Sequence, residues 1–136
     1  MPRFSKLSRN SHRTLDYVFA VVLAVTPFVF GFGHVPIARY TFLVLAAGLM
    51  LYSLLTSYEI PRSGRLPFNM HRIWDLIVSG AMLLGPVALA YEGYLDPLQR
   101  AVHYVLGVFW LAVTLGTTYH VHQTDRPADE PLDRAA

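Results

Sequence analysis

The side chains in this chain able to do chemistry fall into a few short sets. His12, Arg13 and Asp16 follow Asn10, and the same types recur as His71, Arg72 and Asp75 after Asn69; Glu59, His120 and His122 stand elsewhere. Imidazoles and carboxylates brought together make a metal or anionic-ligand site, and His71, Asp75, Glu59 and His120 form the candidate set. Several of these residues also have a plainer use. Asp16 and Asp75 suit the N-terminal ends of helices, the arginines suit lipid phosphate or a neighbouring acid, and His120 suits a helix C-terminus. His120 and His122 are two apart and point to nearly opposite faces of one helix, which weakens a chelate. The plainer uses are the preferred reading, so no metal or other cofactor is expected.

His103 lies a few residues inside an apolar run and is expected to reach the outer interface. A haem with two histidine ligands needs a second imidazole at similar depth, and His34, on the same side, sits in a loop. No nucleophile-base pairing, phosphate loop, dinucleotide fingerprint or HExxH motif occurs, so no enzymatic activity is expected. There is no cysteine to supply a thiolate.

Four apolar runs must position these residues. The chain of 136 residues is 54% hydrophobic and only 15% charged, with a mean hydropathy of +0.38, where a soluble globule is near one quarter charged. Uncharged runs cover Tyr17 to Phe32, Tyr40 to Tyr58, Leu76 to Tyr91 and Ala101 to Val121. With their amphipathic ends each approaches the ~20 residues a helix needs to cross a bilayer, and the absence of period-two alternation excludes a barrel. Asp96 followed by Pro97 reads as an N-cap with proline at the first helical position.

Arg3, Lys6, Arg9 and Arg13 precede the first run and Arg62, Arg65 and Arg72 lie between the second and third, against Arg39 and Arg100 on the other side. Seven against two places both termini and the central loop on the cytoplasmic side of the membrane. The same count explains the net charge of +2 without nucleic acid. A basic start before an apolar run also has the form of a secretory signal. Pro27 and the bulky residues after it offer no small-x-small cleavage site, so the segment is expected to be retained.

The chain repeats itself. Asn10, His12, Arg13, Asp16 and Pro27 recur 59 positions later as Asn69, His71, Arg72, Asp75 and Pro86. After a two-residue insertion the offset is 61, pairing Pro36, Arg39, Val44, Leu45, Leu54, Thr56 and Tyr58 with Pro97, Arg100, Val105, Leu106, Leu115, Thr117 and Tyr119. The unit is a whole helical hairpin, and two copies entering the membrane in the same direction are related by an axis along its normal. The expected fold is an all-α membrane protein of four transmembrane helices, arranged as two tandem parallel-related hairpins. Residues 1–9 form a basic N-terminus, 10–58 the first repeat, 59–68 a cytoplasmic linker, 69–121 the second repeat and 122–136 a disordered tail.

The pattern from Asp16 to Pro27-Phe28 to Gly31-Phe32, repeated as Asp75 to Pro86-Val87, resembles the SPW-repeat family of small bacterial membrane proteins. That family has two helices per repeat and a Ser-Pro-Trp signature in the first, where this chain has Thr26-Pro27-Phe28 and Gly85-Pro86-Val87. The resemblance covers residues 10 to 120 and implies architecture rather than chemistry.

Pro27 and Pro86 each remove a backbone hydrogen bond, at the carbonyls of Leu23 and Met82, and are expected to kink their helices. Small residues such as Ala20, Gly48, Gly80, Gly107 and Gly116 suit close helix approach, and Tyr17, Tyr40, Trp74, Tyr91 and Tyr94 suit interfacial belts. The expected role is a non-enzymatic membrane module that associates with itself or another membrane protein. A small transporter or channel component, favoured by proline-broken helices around a polar cavity, and a metal- or haem-binding redox protein are the alternatives.

Overall fold

The computed structural model describes residues 7–57 and 66–117. It is all-helical apart from two short strands. Helix α1 (Arg9–Val29) leads to α2 (Pro36–Leu55), and α3 (Phe68–Ala88) leads through a 3-10 turn at Glu92–Tyr94 to α4 (Pro97–Gly116). Three of the four, over Asn10–Val29, Pro36–Leu55 and Pro97–Gly116, are long and apolar enough to cross a membrane, with mean hydropathies of 1.2, 1.6 and 1.3.

The helices begin earlier than the apolar runs do. Ser8 caps α1 by accepting from the Ser11 amide at 3.2 Å, so Asn10, His12, Arg13 and Asp16 are helical. Pro36 and Pro97 open α2 and α4 with a pre-set φ. Asp96 and Gln99 close a reciprocal capping box, the Gln99 amide donating to Asp96 Oδ1 at 2.8 Å and the Asp96 amide to Gln99 Oε1 at 3.0 Å. A first turn is helical because its caps satisfy it, whatever its hydropathy.

Each helix buries one stripe. In α1 it is His12, Asp16, Phe19, Ala20, Leu23 and Thr26, spaced three and four apart. α1 packs along α2 and α3 along α4, while α2 also meets α3. Where α2 and α3 meet, Gly48 lies against Trp74: a Cβ on Gly48 would stand 2.3 Å from Trp74 Cζ2. Gly107 is close against Leu83 and Met82, where a Cβ would stand 2.9 and 3.0 Å away, but Gly80 and Gly116 have open space beside them. Close packing therefore uses only part of the small-residue set.

Pro27 and Pro86 occupy the last turns of α1 and α3, so they help to end these helices rather than break them midway. Thr26 Oγ1 donates to the Val22 carbonyl at 2.6 Å, not to that of Leu23. Just beyond the two helix ends, at positions 59 apart, Gly31 and Ala90 take φ of +75° and +54°, the left-handed turn that stops a helix.

The chain closes on itself symmetrically. Strand β1 (Thr56–Ser57) after α2 pairs in parallel with β2 (Leu66–Pro67) before α3, Thr56 opposite Leu66. Thr117 after α4 makes the matching parallel bridge to Leu7 before α1.

Candidate functional site

His12 and Asp16 are four apart on α1, and His71 and Asp75 four apart on α3, so each pair shares one helix face. Both faces turn inward and meet, and all four side chains are fully buried. His12 Nε2 stands 3.3 Å from Asp16 Oδ1 and 3.1 Å from Asp75 Oδ2. His71 Nε2 stands 3.3 Å from Asp16 Oδ2 and 3.3 Å from Asp75 Oδ1. Every imidazole faces both carboxylates, and every carboxylate bridges both imidazoles.

The other nitrogen of each ring is held by a threonine of the opposite repeat. His12 Nδ1 lies 2.8 Å from Thr117 Oγ1, and His71 Nδ1 lies 2.9 Å from Thr56 Oγ1. These hydroxyls already donate, Thr117 to the Val113 carbonyl and Thr56 to the Tyr52 carbonyl, both at 2.8 Å. The threonine oxygen can only accept from the ring, so each Nδ1 carries the proton and each Nε2 turns to the carboxylates.

Aromatic rings wall this box. Phe68 packs edge-on to His12 with centroids 5.7 Å apart, Tyr52 lies 5.6 Å from His71, and Trp110 lies 5.9 Å from His12. Trp110 itself stacks on Phe19 at 4.2 Å. Charges in such a low-dielectric enclosure are held only by partners of opposite sign. The two aspartates thus sit against the two imidazoles, not at the helix ends where their dipole role would place them.

No protein-family model, curated protein or solved structure matches this chain. The site is therefore read from its own geometry.

Of the metal candidates read from the sequence, His71 and Asp75 belong to the box, while Glu59 and His120 lie outside the described residues. His12 and Asp16 take the remaining places. Their signal was the recurrence of an identical histidine-x-x-x-aspartate unit together with Thr56 and Thr117, which the same repeat relates. Asn10, Asn69 and Arg13 are exposed and Arg72 is half-buried, while Pro27 and Pro86 are buried far along their helices.

At the other end of the bundle His103 turns inward among the helices. It is fully buried, its Nε2 2.6 Å from the equally buried Tyr91 Oη, and so Tyr91 is not part of an interfacial belt. His34 is exposed with its Nδ1 2.9 Å from the Gly31 carbonyl, so among the described residues it is not a second imidazole opposite His103. The repeat-related counterparts of Tyr91 and His103 are Phe32 and Phe42, packed edge to face at 5.2 Å. The second repeat thus carries a polar pair where the first carries an apolar one.

Proposed function

We propose that this chain is a non-enzymatic integral membrane module whose four helices all cross the bilayer as two tandem hairpins. The His-Asp box locks the hairpins together, and the module associates with itself or another membrane protein through its outer faces. The carrying observation is an inside-out distribution of polarity. His12, Asp16, His71, Asp75, Gln99 and His103 are buried, while Val21, Val44, Leu54, Ile73, Leu84, Val105 and Leu115 are exposed. Water would favour the reverse, and lipid favours this arrangement.

The same pattern supports α3 as the fourth span. Its hydropathy is lowered by His71 and Asp75, which face the box, whereas its outer face presents Ile73, Leu76, Ile77, Leu84 and Val87. The resemblance to SPW-repeat proteins favours a two-helix unit, and the arginine excess favours cytoplasmic termini in a bacterial inner membrane. A transporter is disfavoured because fully buried Leu23, Leu49, Val78 and Met82 fill the middle of the bundle.

Because the chain has no cysteine of its own, Ser63→Cys and Gly93→Cys variants test the topology. An impermeant thiol reagent should reach the two from opposite sides of oriented membrane vesicles; labelling from the same side removes the hairpins. Copies carrying donor and acceptor dyes should show energy transfer in dilute bilayers, or a membrane protein should co-purify in stoichiometric amount. A monomer that retains nothing removes the association role.

A further inference from the structure

We propose that His12, Asp16, His71 and Asp75 bind one divalent transition-metal ion of zinc's class between the two repeats. The inference goes beyond the membrane module, which needs no ligand, and rests on three features of the box.

The first is spacing. One coordinating atom from each of the four residues can be chosen so that all lie within 4.8 Å of one another. The four nitrogen-to-oxygen separations are 3.3, 3.1, 3.3 and 3.3 Å. A tetrahedral ion with bonds of ~2.0 Å separates its ligands by about 3.3 Å. A charge-assisted N–H···O bond is shorter, at ~2.7–2.9 Å, and directs its proton at one acceptor. Each carboxylate meets the two imidazoles through different oxygens, and His12 Nε2 also meets hydrogen-bond geometry toward Asp75 Oδ2 at 3.1 Å; the three separations of 3.3 Å match the edge of a tetrahedral site.

The second is the outer support. Thr56 and Thr117 accept from Nδ1 and so present both Nε2 atoms inward, which is how metal-binding imidazoles are held. Both threonines have their own hydroxyl protons committed to backbone carbonyls, so neither can reverse the arrangement.

The third is charge and rigidity. With both imidazoles neutral, two carboxylates and one divalent cation sum to zero in the buried box. All four ligands come from the bodies of helices and are fully buried. A set of two nitrogens and two oxygens without sulfur suits zinc, and its closure describes a structural rather than a catalytic ion.

Full-length protein in detergent, stripped with a chelator, is titrated with Zn2+ by calorimetry and with Co2+ by visible absorption. One equivalent should bind, with Co2+ giving the intense bands of four-coordinate nitrogen-oxygen ligation. X-ray absorption of the unmutated zinc-loaded protein should show a nitrogen-oxygen shell near ~2.0 Å with scattering from two imidazoles. An Asp16→Asn/Asp75→Asn variant should lose the ion while keeping its helical circular dichroism. Thr117→Val, which removes a positioning residue, should weaken affinity ~10–100-fold.

A folded unmutated protein that takes up no stoichiometric metal overturns the proposal. So does uptake unchanged in the double variant, which would place the ion elsewhere, for example at His120 and His122. Should the double variant fail to fold, the imidazole count decides: any number other than two overturns the site.

Discussion

At the scale of single residues, the box shows how a bundle carries four ionisable groups without exposing them. The threonines are its least conspicuous members. Replacing Thr56 or Thr117 by valine keeps the shape but leaves a buried Nδ1–H without its acceptor, and each change should cost about 1–3 kcal/mol. The repeat relation makes the two costs similar. Thr14→Val, at an exposed hydroxyl that donates to the Asn10 carbonyl, should cost much less; unfolding in SDS titrations measures all three. At the far end, Tyr91→Phe should destabilise by removing the partner of His103, while Tyr91→Phe with His103→Phe reproduces the apolar pair of the first repeat and should recover most of the loss. A double variant worse than the sum of its singles would sink that reading. The histidines and aspartates of the box were visible in the sequence through their spacing and recurrence. Their burial was not, because Asp16 borders an apolar run in the sequence yet is the eighth residue of a helix.

At the scale of elements, the two contacts that the repeat makes equivalent differ in closeness. Gly48 and Trp74 bring α2 against α3, whereas the positions related to them are Phe109 and Leu15. These larger pairs leave an apolar crevice of ≈180 Å³ between α1 and α4, lined also by Val18, Phe19, Val22 and Leu106. Gly48→Ala should therefore cost about 1–3 kcal/mol, because the Trp74 ring, stacked on Tyr52 at 5.5 Å, must move. Gly80→Ala has room for its methyl and should gain up to ~1 kcal/mol from helix propensity. Equal thermal shifts for the two variants would contradict the assigned contact. Helix number and order were legible from hydropathy and from proline and glycine at the joints. The helix starts were not, because caps such as Ser8 act through backbone amides and leave no trace in apolar periodicity. Nor can one sequence show that Trp74 packs on a glycine 26 positions earlier.

At the scale of the whole molecule, the repeat explains why one site draws on both halves. Each histidine bonds a threonine of the other half, so neither half completes its own polar network. The duplication was plain in the sequence, but its closure was not, since the bridge from Leu7 to Thr117 joins segments of low hydropathy at opposite ends of the described chain. That bridge matches the pairing of Thr56 with Leu66, and the two junctions have the same parallel register. The order of the helices is therefore cyclic, and the break between the last helix and the first is a matter of where synthesis begins. A permuted gene that starts at Leu66, runs through α4, crosses a short linker to Leu7 and stops after Ser57 should make a protein of the same helical content and thermal stability. Its failure to accumulate would mean that the order in which the helices are made matters more than the structure they reach.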